Sequence, residues 1–474
     1  MGENGWLAKG GLGVVMVMKE CMVSDVIMAV EGAVMEGKTI LLSIWGTWFA
    51  LLGIIFILQI TFMRDVTKQM LSNLHINSNL KVNTTIITCD RSNKDFDICT
   101  MNDPTLLDQT SLTLYTLNPN TRTQPHTHEK IHPYPLKNSK DAMSSISEIT
   151  LTSHPQKYSS QCGITHHNPA LVFSGSGYTG NFYHDMNEIF IPLFITINSL
   201  SHDQDVILVI INSKMWWLKK YADLLSAFSR HHIIIQTNNI TTTHCFPSAI
   251  IGLIKHGQLI IDPKLLPYPK TLFDFHAFLK NAYIKKDTSL MYPDNMDRPL
   301  LTLVSRKGNS RVIFNQEEVI KLAEDIGFNV HALETTKESS VVDTYRLIHS
   351  SHVMLGVHGA GLTNLLFLRQ GSVLVQIVPI GLEWASETYY NKPTKILGLE
   401  YVEYKVEANE SSLSWKYGAD SLVINDPETF RDGKWANQLV YLKKQNVIID
   451  LSRFKKCLTE VYKKAKLFMN TSTS

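Results

Sequence analysis

A glycine-rich turn in the C-terminal part of the chain directly follows a short apolar run. Residues 353–357 (Val-Met-Leu-Gly-Val) are long enough for one buried strand. The polar and small residues of the turn and of the helix start after it are His358, Gly359, Ala360, Gly361, Thr363 and Asn364. Free N–H groups at a helix N-terminus attract anions, so we interpret this turn as a phosphate-binding loop. The alternative is a tight turn that only packs.

A basic turn precedes that loop by one strand–helix–strand unit. Arg306, Lys307 and Arg311 lie on a glycine-containing turn after the predicted strand at residues 299–305. Arginine donates two parallel hydrogen bonds to a phosphate group, which makes these residues candidates for a diphosphate clamp. Basic turns are also common on protein surfaces. Two turns suited to anions at the same edge of one sheet favour the clamp.

His184 and Asp185 are the candidates for acid–base chemistry. They fall in the first turn of a predicted helix, after the glycine-rich loop at residues 174–180. A histidine beside an aspartate can act as a general base near neutral pH. The alternative is a capping aspartate and a packed histidine.

Glu383 and Trp384 follow a further strand, where a carboxylate suits ribose hydroxyls and an indole suits a base or sugar ring.

A metal site is not predicted. His126, His128 and His132 lie close together, but no cysteine or carboxylate pair completes a tetrahedral set around them. Pro125 and the two prolines at 133 and 135 favour irregular extended chain there.

The elements that position these residues alternate between apolar strands and amphipathic helices. This pattern is typical of parallel sheets covered by helices on both faces. The chain of 474 residues is long enough for two or three domains, and its 44% hydrophobic content is that of a globular protein. A formal net charge of +2 gives no reason to expect nucleic acid as a partner. Six cysteines in this length exclude a disulfide scaffold.

The N-terminal part predicts a membrane anchor. Residues 39–63 contain no charged side chain. About 20 apolar residues are enough to span a bilayer. A signal peptide and a buried core helix are the alternatives. Residues 1–38 are expected to be a cytosolic segment and are otherwise unassigned, and residues 64–86 are polar and suit a stem. The glycosylation motifs after the helix, which favour a lumenal catalytic portion, start at Asn83, Asn239, Asn409 and Asn470.

Two α/β domains are expected beyond the stem. Residues 87–270 are expected to form the first domain, 271–297 a linker with one helix, and 298–450 the second domain. The helix at 451–474 has an apolar stripe that we expect to pack back on the N-terminal domain. Cys89 and Cys99 bracket a short loop that a disulfide could close in an oxidising lumen. Cys162 and Cys245 could form a second disulfide, although the sequence does not fix the connectivity.

Several blocks together resemble glycosyltransferase family 61, and within it the plant Golgi enzymes that decorate xylan. Coverage runs from about residue 85 to the C-terminal helix. The matching blocks are Cys89-Asp-Arg-Ser to Cys99, Ile131-His-Pro-Tyr-Pro, Gly177-Tyr-Thr-Gly-Asn-Phe-Tyr-His-Asp, His244-Cys-Phe-Pro, Val304-Ser-Arg-Lys-Gly, Gly356-Val-His-Gly-Ala-Gly-Leu-Thr-Asn, Leu382-Glu-Trp-Ala-Ser-Glu-Thr-Tyr and Gly398-Leu-Glu-Tyr-Val-Glu-Tyr. The departures are Gln370, where a proline is common, and Lys307, where arginine is frequent.

The resemblance implies a GT-B fold, with two Rossmann-like domains facing a cleft, and inverting transfer of a pentose from a UDP-sugar without a required metal or other cofactor. Residues 87–270 would be the acceptor-side domain and residues 298–450 the nucleotide-sugar-binding domain. His184 or Asp185, in the first of these, would be the base. The basic turn and the His358–Gly361 turn would hold the diphosphate, with Glu383 near the ribose or donor sugar. The expected partners are a UDP-sugar, a xylan acceptor, the Golgi membrane in a single-pass type II orientation, and as candidates other Golgi glycosyltransferases.

The block at residues 382–386 most resembles the enzymes that add xylose to xylan. Arabinofuranosyl transfer is the near alternative, because a few pocket residues can exchange one pentose for another. Xylosyl transfer to N-glycans or proteins, and N-acetylglucosaminyl transfer, are more distant alternatives. A catalytically silent carbohydrate-binding scaffold belongs to a different class.

Overall fold

The computed structural model describes residues 87–117, 127–153, 162–200, 205–236, 242–284 and 297–472, which belong to one compact unit, Thr85–Ser474. Among these residues, no helix combines the length and the apolar composition that crossing a bilayer requires. The predicted anchor at 39–63 and stem at 64–86 lie outside the described residues, as do Asn83 and Asn239. Asn409 and Asn470 are both exposed.

Short strands dominate the N-terminal half. In chain order they are β1 (Ile87–Asp90), β2 (Ile98–Met101), β3 (Thr105–Asp108), β4 (Thr113–Thr116), β5 (His128–Ile131), β6 (Ile149–Thr152), β7 (Ile164–Thr165), β8 (Ala170–Ser174), β9 (Ile207–Ile211), β10 (Ile234–Ile235), β11 (Thr243–Phe246) and β12 (Ala249–Ile251). The helices are α1 (Lys140–Met143), α2 (Phe182–His184), α3 (Ile191–Leu200), α4 (Met215–Lys220), α5 (Ala222–Phe228) and α6 (Leu272–Ile284). A π-helical turn, Asp185–Phe190, joins α2 to α3, and a 3-10 turn spans Pro263–Leu265.

These strands form two sheets, with the orders β1-β2-β12-β8-β9-β10 and β5-β6-β4-β3-β11-β7. In the first sheet, β12, β8, β9 and β10 are parallel to one another. β2 pairs antiparallel with β12 on one side and with β1 on the other. Alternate residues of β8 face opposite sides: Leu171 and Phe173 pack on helices, whereas Ala170 and Val172 pack on the second sheet. The expectation of helices on both faces is therefore wrong for this half, because a sheet covers one face.

That second sheet lies where the sequence predicted irregular chain. Residues 105–152 contribute β3 to β6, although Pro133 and Pro135 are present. Both prolines fall between β5 and α1, so neither removes a hydrogen-bond donor from a strand. The expected linker helix is α6, and residues 285–296 of that linker are outside the described residues.

The C-terminal half contains a parallel five-stranded sheet. Its strands are β13 (Leu300–Val304), β14 (Asn329–Leu333), β15 (Val353–Val357), β16 (Val373–Val378) and β17 (Glu400–Lys405), in the order β14-β13-β15-β16-β17. The helices are α7 (Gln316–Ile326), α8 (Val341–Ser350), α9 (Glu383–Ser386), α10 (Lys392–Ile396), α11 (Ser412–Tyr417), α12 (Leu422–Asn425), α13 (Pro427–Arg431), α14 (Trp435–Lys443) and α15 (Leu451–Ser472). The helix after β15 is a 3-10 helix, Ala360–Phe367; a π-helical turn spans Glu387–Asn391, and a 3-10 turn spans Ala408–Glu410.

Helices cover both faces of this sheet, as the sequence predicted. Met354 of β15 packs on the side of α8 and the 3-10 helix, and Leu355 packs on the side of α7 and α15. The first of these clusters also contains Phe190 and Leu279 of the N-terminal half, so one hydrophobic core runs through both halves.

The C-terminal helix packs on its own half of the molecule. Phe454, Leu458 and Val461 of α15 are fully buried in the same cluster as Val319 and Ala323 of α7. The helix also contacts β16 and β17. The expectation that it crosses back to the N-terminal domain is wrong, because the sheet face beside α7 was the apolar surface still to be covered.

Both disulfides that the sequence suggested are formed. Cys89 and Cys99 are directly paired residues of β1 and β2, with a sulfur–sulfur distance of 1.97 Å. Cys162 is joined to Cys245 of β11, with sulfurs 1.88 Å apart. Cys457 is a free thiol on α15.

Candidate functional site

The order of the C-terminal sheet places a crevice between β13 and β15. The chain leaves β13 to one side, through β14, and later strands are added on the other side of β13. In open α/β sheets, ligands bind outside the carboxyl ends of the strands at such a point. Arg306 follows the end of β13, and His358 and Gly359 follow the end of β15. The two turns that the sequence singled out therefore meet.

Gly359 lets the two turns touch. Its φ of +154° and ψ of 175° form a conformation that essentially only glycine adopts. A Cβ at this residue would overlap with Nη1 of Arg306 and would lie 3.0 Å from Nη1 of Arg311. The N–H groups of Ala360 and Gly361, at the start of the 3-10 helix, have no hydrogen-bond partner in the described part of the chain. Two guanidinium groups and two free amides thus converge here.

The two arginines have no acidic partner among the described residues. Arg311 donates from Nη1 to the carbonyl of His358 at 3.0 Å, and its Nε is buried without a partner. Burial lowers the pKa of Arg306. Burial, and then the like charge of Arg306, lower the pKa of Arg311 to about 10. Both remain cationic at neutral pH, so the site holds two adjacent positive charges that an anion would stabilise.

Arg311 is held in place by its backbone. Its φ of +57° is left-handed, a conformation that costs a non-glycine residue about 1 kcal/mol or more. Its N–H donates to the carbonyl of Gln445 at 2.6 Å. Strain of this kind persists where the surrounding structure fixes it, and it is common at ligand sites.

Lys307 is directed away from the arginines. Its Nζ forms an ion pair with Glu334 at 2.6 Å, and its side chain is 81% exposed. The structure therefore does not bring Lys307 to the site that the sequence assigned to it. Consecutive residues in an extended turn point to opposite sides, which separates Lys307 from Arg306.

His358 lies beneath the turn as a neutral imidazole. Burial, and then the charges of Arg311 and Arg306, lower the pKa of His358 to about 3. Its Nδ1 accepts a hydrogen bond of 2.7 Å from the side-chain amide of Gln376, in β16. Its Nε2 has no partner in the described part of the chain.

The remaining residues of the turn have structural contacts. Tyr390 is fully buried and donates to the carbonyl of Gly359 at 2.7 Å. Asn364 donates to the carbonyl of Gly361 at 2.8 Å. Thr363 is fully buried, and its hydroxyl has no hydrogen-bond partner among the described residues. The contact of Asn364 thus supports the turn, while the Thr363 hydroxyl is left unpaired.

His184 is supported by a buried carboxylate. Its Nδ1 lies 2.8 Å from Oε2 of Glu188, and its side chain is 26% exposed. Glu188 in turn accepts from Lys255 at 3.2 Å and from Asn187 at 2.7 Å. Because the carboxylate accepts from every side, His184 donates from Nδ1 and its Nε2 is left as an acceptor. Nε2 has no partner in the described part of the chain.

Asp185 is enclosed by hydrogen-bond donors. It accepts from the N–H of Gly180 at 3.0 Å, from Nε1 of Trp217 at 2.9 Å and from the hydroxyl of Tyr221 at 2.8 Å. Its side chain is 1% exposed, and burial raises its pKa. Gly180 has a φ of +95°, which turns its N–H toward this carboxylate. These contacts suit an anchor for the loop, whereas His184 keeps an acceptor atom without a partner in the described structure.

Aromatic rings connect the two histidines across the halves. Ring centroids are 5.3 Å apart between His184 and Tyr183, 5.4 Å between Tyr183 and Tyr389, and 6.4 Å between Tyr389 and His358. Tyr389 also contacts Trp384, which is 41% exposed. Glu383 is exposed at the start of α9 and accepts from the N–H of Gly381. The structure thus places Trp384 and Glu383 at the edge of the same site.

A pocket of about 390 Å³ lies beside the turn, between residues of the two halves. Its lining from the N-terminal half includes Gly180, Asn181, Phe182, Asp185, Trp216 and Lys220. Its lining from the C-terminal half includes Thr335, Lys337, Ser339, Ala360, Gly361 and Asn364. This size is within the usual range for small-molecule sites. No group of three or more metal-binding side chains occurs among the described residues.

Sequence reasoning missed four residues of this site. Glu188 lies four residues after His184, a helical spacing that signals a neighbour on the same face. Gln376 is a polar residue in an otherwise apolar strand, and that exception was a usable signal. Lys255 and Tyr390 gave no local signal, because only the tertiary fold brings them to Glu188 and Gly359.

Comparison with known proteins shows the family of this chain. A model of the family described as glycosyltransferase 61 matches residues 180–375, which include His184, both arginines and the Gly359 turn. A xylan glycosyltransferase of Arabidopsis thaliana is 38% identical over 398 residues, covering 80% of each chain. The class is therefore that of enzymes that transfer glycosyl groups.

Two relatives from Oryza sativa subsp. japonica are each 34% identical. One is an alpha-1,3-arabinosyltransferase, matched over 78% of this chain and 64% of its own length. The other is a beta-1,2-xylosyltransferase, matched over 79% of this chain and 68% of its own length. The chain belongs to glycosyltransferase family 61, in the branch that contains these plant enzymes, and the resemblance seen in the sequence is confirmed.

Proposed function

We propose that the chain is an inverting glycosyltransferase that transfers a pentose onto xylan. The first candidate for the pentose is xylose, with UDP-xylose as the donor. The observation that carries the proposal is the pair Arg306 and Arg311, which lie against Gly359 without an acidic partner in the described structure. A diphosphate would supply the missing negative charge, and the amides of Ala360 and Gly361 would add two hydrogen bonds.

The reaction follows from the groups in place. An acceptor hydroxyl attacks C1 of the sugar while the bond from C1 to the diphosphate oxygen breaks, which inverts the configuration. His184 takes the hydroxyl proton on Nε2, and Glu188 stabilises the imidazolium that forms. The arginines stabilise the negative charge that develops on the departing UDP. This cationic set would do the work of a metal ion, so no metal or other cofactor is proposed.

The GT-B arrangement is the proposed architecture for this chemistry. Its support is a nucleotide-type crevice on the C-terminal sheet, faced by a helix of the N-terminal half that carries the base. Phe182 of α2 lies 5.7 Å, between ring centroids, from Phe367 at the end of the 3-10 helix, so the two elements meet at the site. The division into domains at 87–270 and 298–450 stays a prediction.

The relatives support a xylan acceptor and a pentose donor. One is named as acting on xylan, and others are named as xylosyl- or arabinosyltransferases. Arabinofuranosyl transfer is therefore the second candidate. N-acetylglucosaminyl transfer is more distant: an EGF domain-specific O-linked N-acetylglucosamine transferase of Bos taurus is 26% identical over 48% of this chain. Transfer of xylose to N-glycans or proteins has no support beyond the family.

The proposed location is the Golgi membrane, with the catalytic part in the lumen and residues 39–63 as the anchor. Two disulfides in the described residues support an oxidising compartment. Exposure of Asn409 and Asn470 is compatible with glycosylation there. Other Golgi glycosyltransferases are proposed as candidate partners.

The deciding experiment offers the full-length protein UDP-xylose, UDP-arabinofuranose and UDP-N-acetylglucosamine, each with xylan oligosaccharides. Pentose transfer with inversion is expected, with UDP-xylose the preferred donor. Preference for UDP-arabinofuranose would select the second candidate. Binding of xylan without transfer from any donor would favour a silent scaffold instead.

A further inference from the structure

The two histidines of the site have different partners on the same ring atom. Nδ1 of His184 faces a carboxylate, Glu188, which can only accept a hydrogen bond. Nδ1 of His358 faces the amide group of Gln376, which donates. Both rings leave Nε2 without a protein partner among the described residues. A neutral imidazole carries one proton, so the partner on Nδ1 decides what Nε2 can do.

The orientation of each partner is itself fixed. Glu188 is 1% exposed and receives Lys255 and Asn187 on its other oxygen. The carbonyl oxygen of Asn187 accepts from the N–H of Leu259 at 2.7 Å, so its amide group must face Glu188. Lys255 is buried with it, and its ammonium group lies 3.2 Å from the same oxygen that accepts from Asn187.

Gln376 is fixed in the same way on the other side. It is fully buried in β16, and its carbonyl oxygen accepts from the hydroxyl of Tyr401 at 3.0 Å. Ser386, whose hydroxyl lies 2.7 Å from that of Tyr401, donates to Tyr401 in this arrangement and leaves the tyrosine proton for Gln376. The amide group of Gln376 is therefore directed at His358.

We propose that Glu188 and Gln376 are positioning residues that hold His184 and His358 in opposite tautomers, so that one ring accepts a proton and the other donates a hydrogen bond. This inference rests on the proposed function. Nε2 of His184 is the base for the acceptor hydroxyl. Nε2–H of His358 is a neutral donor to the UDP-sugar, beside the two arginines. No covalent step beyond the proposed transfer is involved.

The charged and titratable surroundings of each ring are consistent with these roles. His184 is flanked by the rings of Tyr178 and Tyr183, at centroid distances of 4.6 and 5.3 Å, besides Glu188. His358 is flanked by Arg306, Arg311, Tyr389 and Tyr390, which add positive charge and phenols but no carboxylate. Burial, and then the positive charge of the two arginines, keep the pKa of His358 low, so the ring stays neutral and can act as a hydrogen-bond donor.

The test exchanges an acid and an amide at each position. In Glu188→Gln, Lys255 and Asn187 attract the amide oxygen, so the new NH₂ group faces Nδ1 of His184 and forces the proton onto Nε2. In Gln376→Glu, Tyr401 keeps one oxygen, and the other requires a proton on Nδ1 of His358. Gln376→Met removes the hydrogen bond with little change in volume.

The measurements are kcat, KM and the pH profile of the full-length protein, together with ¹⁵N spectra of its histidine rings. The signals are assigned from His184→Gln and His358→Gln. We expect opposite tautomers in the wild type. We also expect kcat to fall about 100-fold in Glu188→Gln with little change in acceptor KM, because loss of the supporting carboxylate leaves the wrong tautomer. Gln376→Met and Gln376→Glu should each lose about 10- to 100-fold, and Gln376→Glu should add a new ionisation to the pH profile.

The matched controls are Gln109→Glu, which also places a carboxylate at a buried glutamine, and Glu324→Gln on the exposed face of α7. Both should keep wild-type kcat, and melting temperatures report folding. The same tautomer in both rings, or a folded Gln376→Glu with wild-type kcat and pH profile, would overturn the inference. A wild type that transfers no sugar would contradict the proposed function, while the ring spectra would still decide the tautomers.

Discussion

Arg306 occupies the space that a side chain at Gly359 would need: a Cβ there would overlap with Nη1 of the guanidinium. The contact joins the ends of β13 and β15 and brings a positive charge against the free amides of Ala360 and Gly361. A substitution on either side of this contact therefore tests whether the cluster binds the leaving group.

Gly359→Ala should lower the transfer rate about 100-fold without unfolding the protein. The methyl group displaces Arg306, and the φ of +154° adds strain of about 1–3 kcal/mol. A misplacement of about 1 Å at a reacting group can lower the rate about 100-fold. The control is Gly257→Ala, whose new Cβ would have its nearest neighbour at 3.6 Å. Steady-state kinetics and thermal melting check both variants. A Gly359→Ala variant with wild-type activity would show that the turn has no role in catalysis.

Arg306→Ala should lower kcat about 100- to 1,000-fold, as loss of one preorganised charge-stabilising donor does. Arg306→Lys should recover only part of the activity, because a lysine cannot donate in a bidentate fork. Lys307→Ala is the neighbouring control: its side chain pairs with Glu334 at the surface, so transfer should be nearly unchanged. Equal losses in Arg306→Ala and Lys307→Ala would show that both side chains reach the donor.

Asp185→Asn and His184→Ala should separate anchor from base. His184→Ala should lose most of kcat, whereas Asp185→Asn should fold and retain much of it. Asp185→Ala leaves Trp217 and Gly180 without an acceptor, which we expect to cost about 2–4 kcal/mol of the free energy of unfolding. High activity in His184→Ala together with an inactive but folded Asp185→Asn would reverse the assignment.

The pH dependence of Asp185→Asn has a definite sign. Burial raises the pKa of Asp185 in the folded state above its ordinary value of 3.8. The folded protein then holds this proton more tightly than the unfolded chain, so this contribution to stability is present below pH 3.8 and is lost as pH rises through the raised value. Asparagine does not ionise, so the variant avoids the free-energy cost of burying a charged carboxylate at neutral pH. Melting temperatures should therefore shift in favour of Asp185→Asn, relative to wild type, as pH rises from 4 to 7.

The two disulfides should differ in their effect on stability. The Cys162–Cys245 bond closes a loop of 83 residues and the Cys89–Cys99 bond a loop of 10. Loop-closure entropy in the unfolded chain gives about 4.5 kcal/mol for the longer loop and about 2.7 kcal/mol for the shorter. Denaturant unfolding of Cys245→Ser and Cys99→Ser measures the two values. A larger loss in Cys99→Ser would mean that contacts between β1 and β2 outweigh the entropy.

Treatment with EDTA should leave the transfer rate unchanged. Arg306 and Arg311 supply the positive charge that a divalent ion provides in other transferases. The check is the initial rate after chelation and gel filtration, with and without added Mg²⁺ or Mn²⁺. A rate that is lost on chelation and restored by one of these ions would contradict metal independence.

The sequence predicted the parallel sheet of the C-terminal half and the meeting of its two turns. Both follow from local rules, because β-branched runs and glycine turns specify strand–turn–helix units, and parallel strands bring their carboxyl ends to one edge. The sheet that covers the N-terminal half was missed, since its strands are short and come from residues far apart in the chain. The partner of α15 was also missed, because an apolar stripe records that a helix is buried but not against what.

By itself, the sequence determined which residues can do chemistry here: a histidine after one glycine loop, and two arginines and a second histidine on two further turns. Residue type and position relative to a strand end are local properties. Only the tertiary structure decided their roles. It directed Lys307 to solvent, enclosed Asp185 among three donors, and placed Glu188 and Gln376 on the two histidines. The protonation and orientation of a side chain depend on its neighbours in space, and those neighbours come from distant parts of the chain.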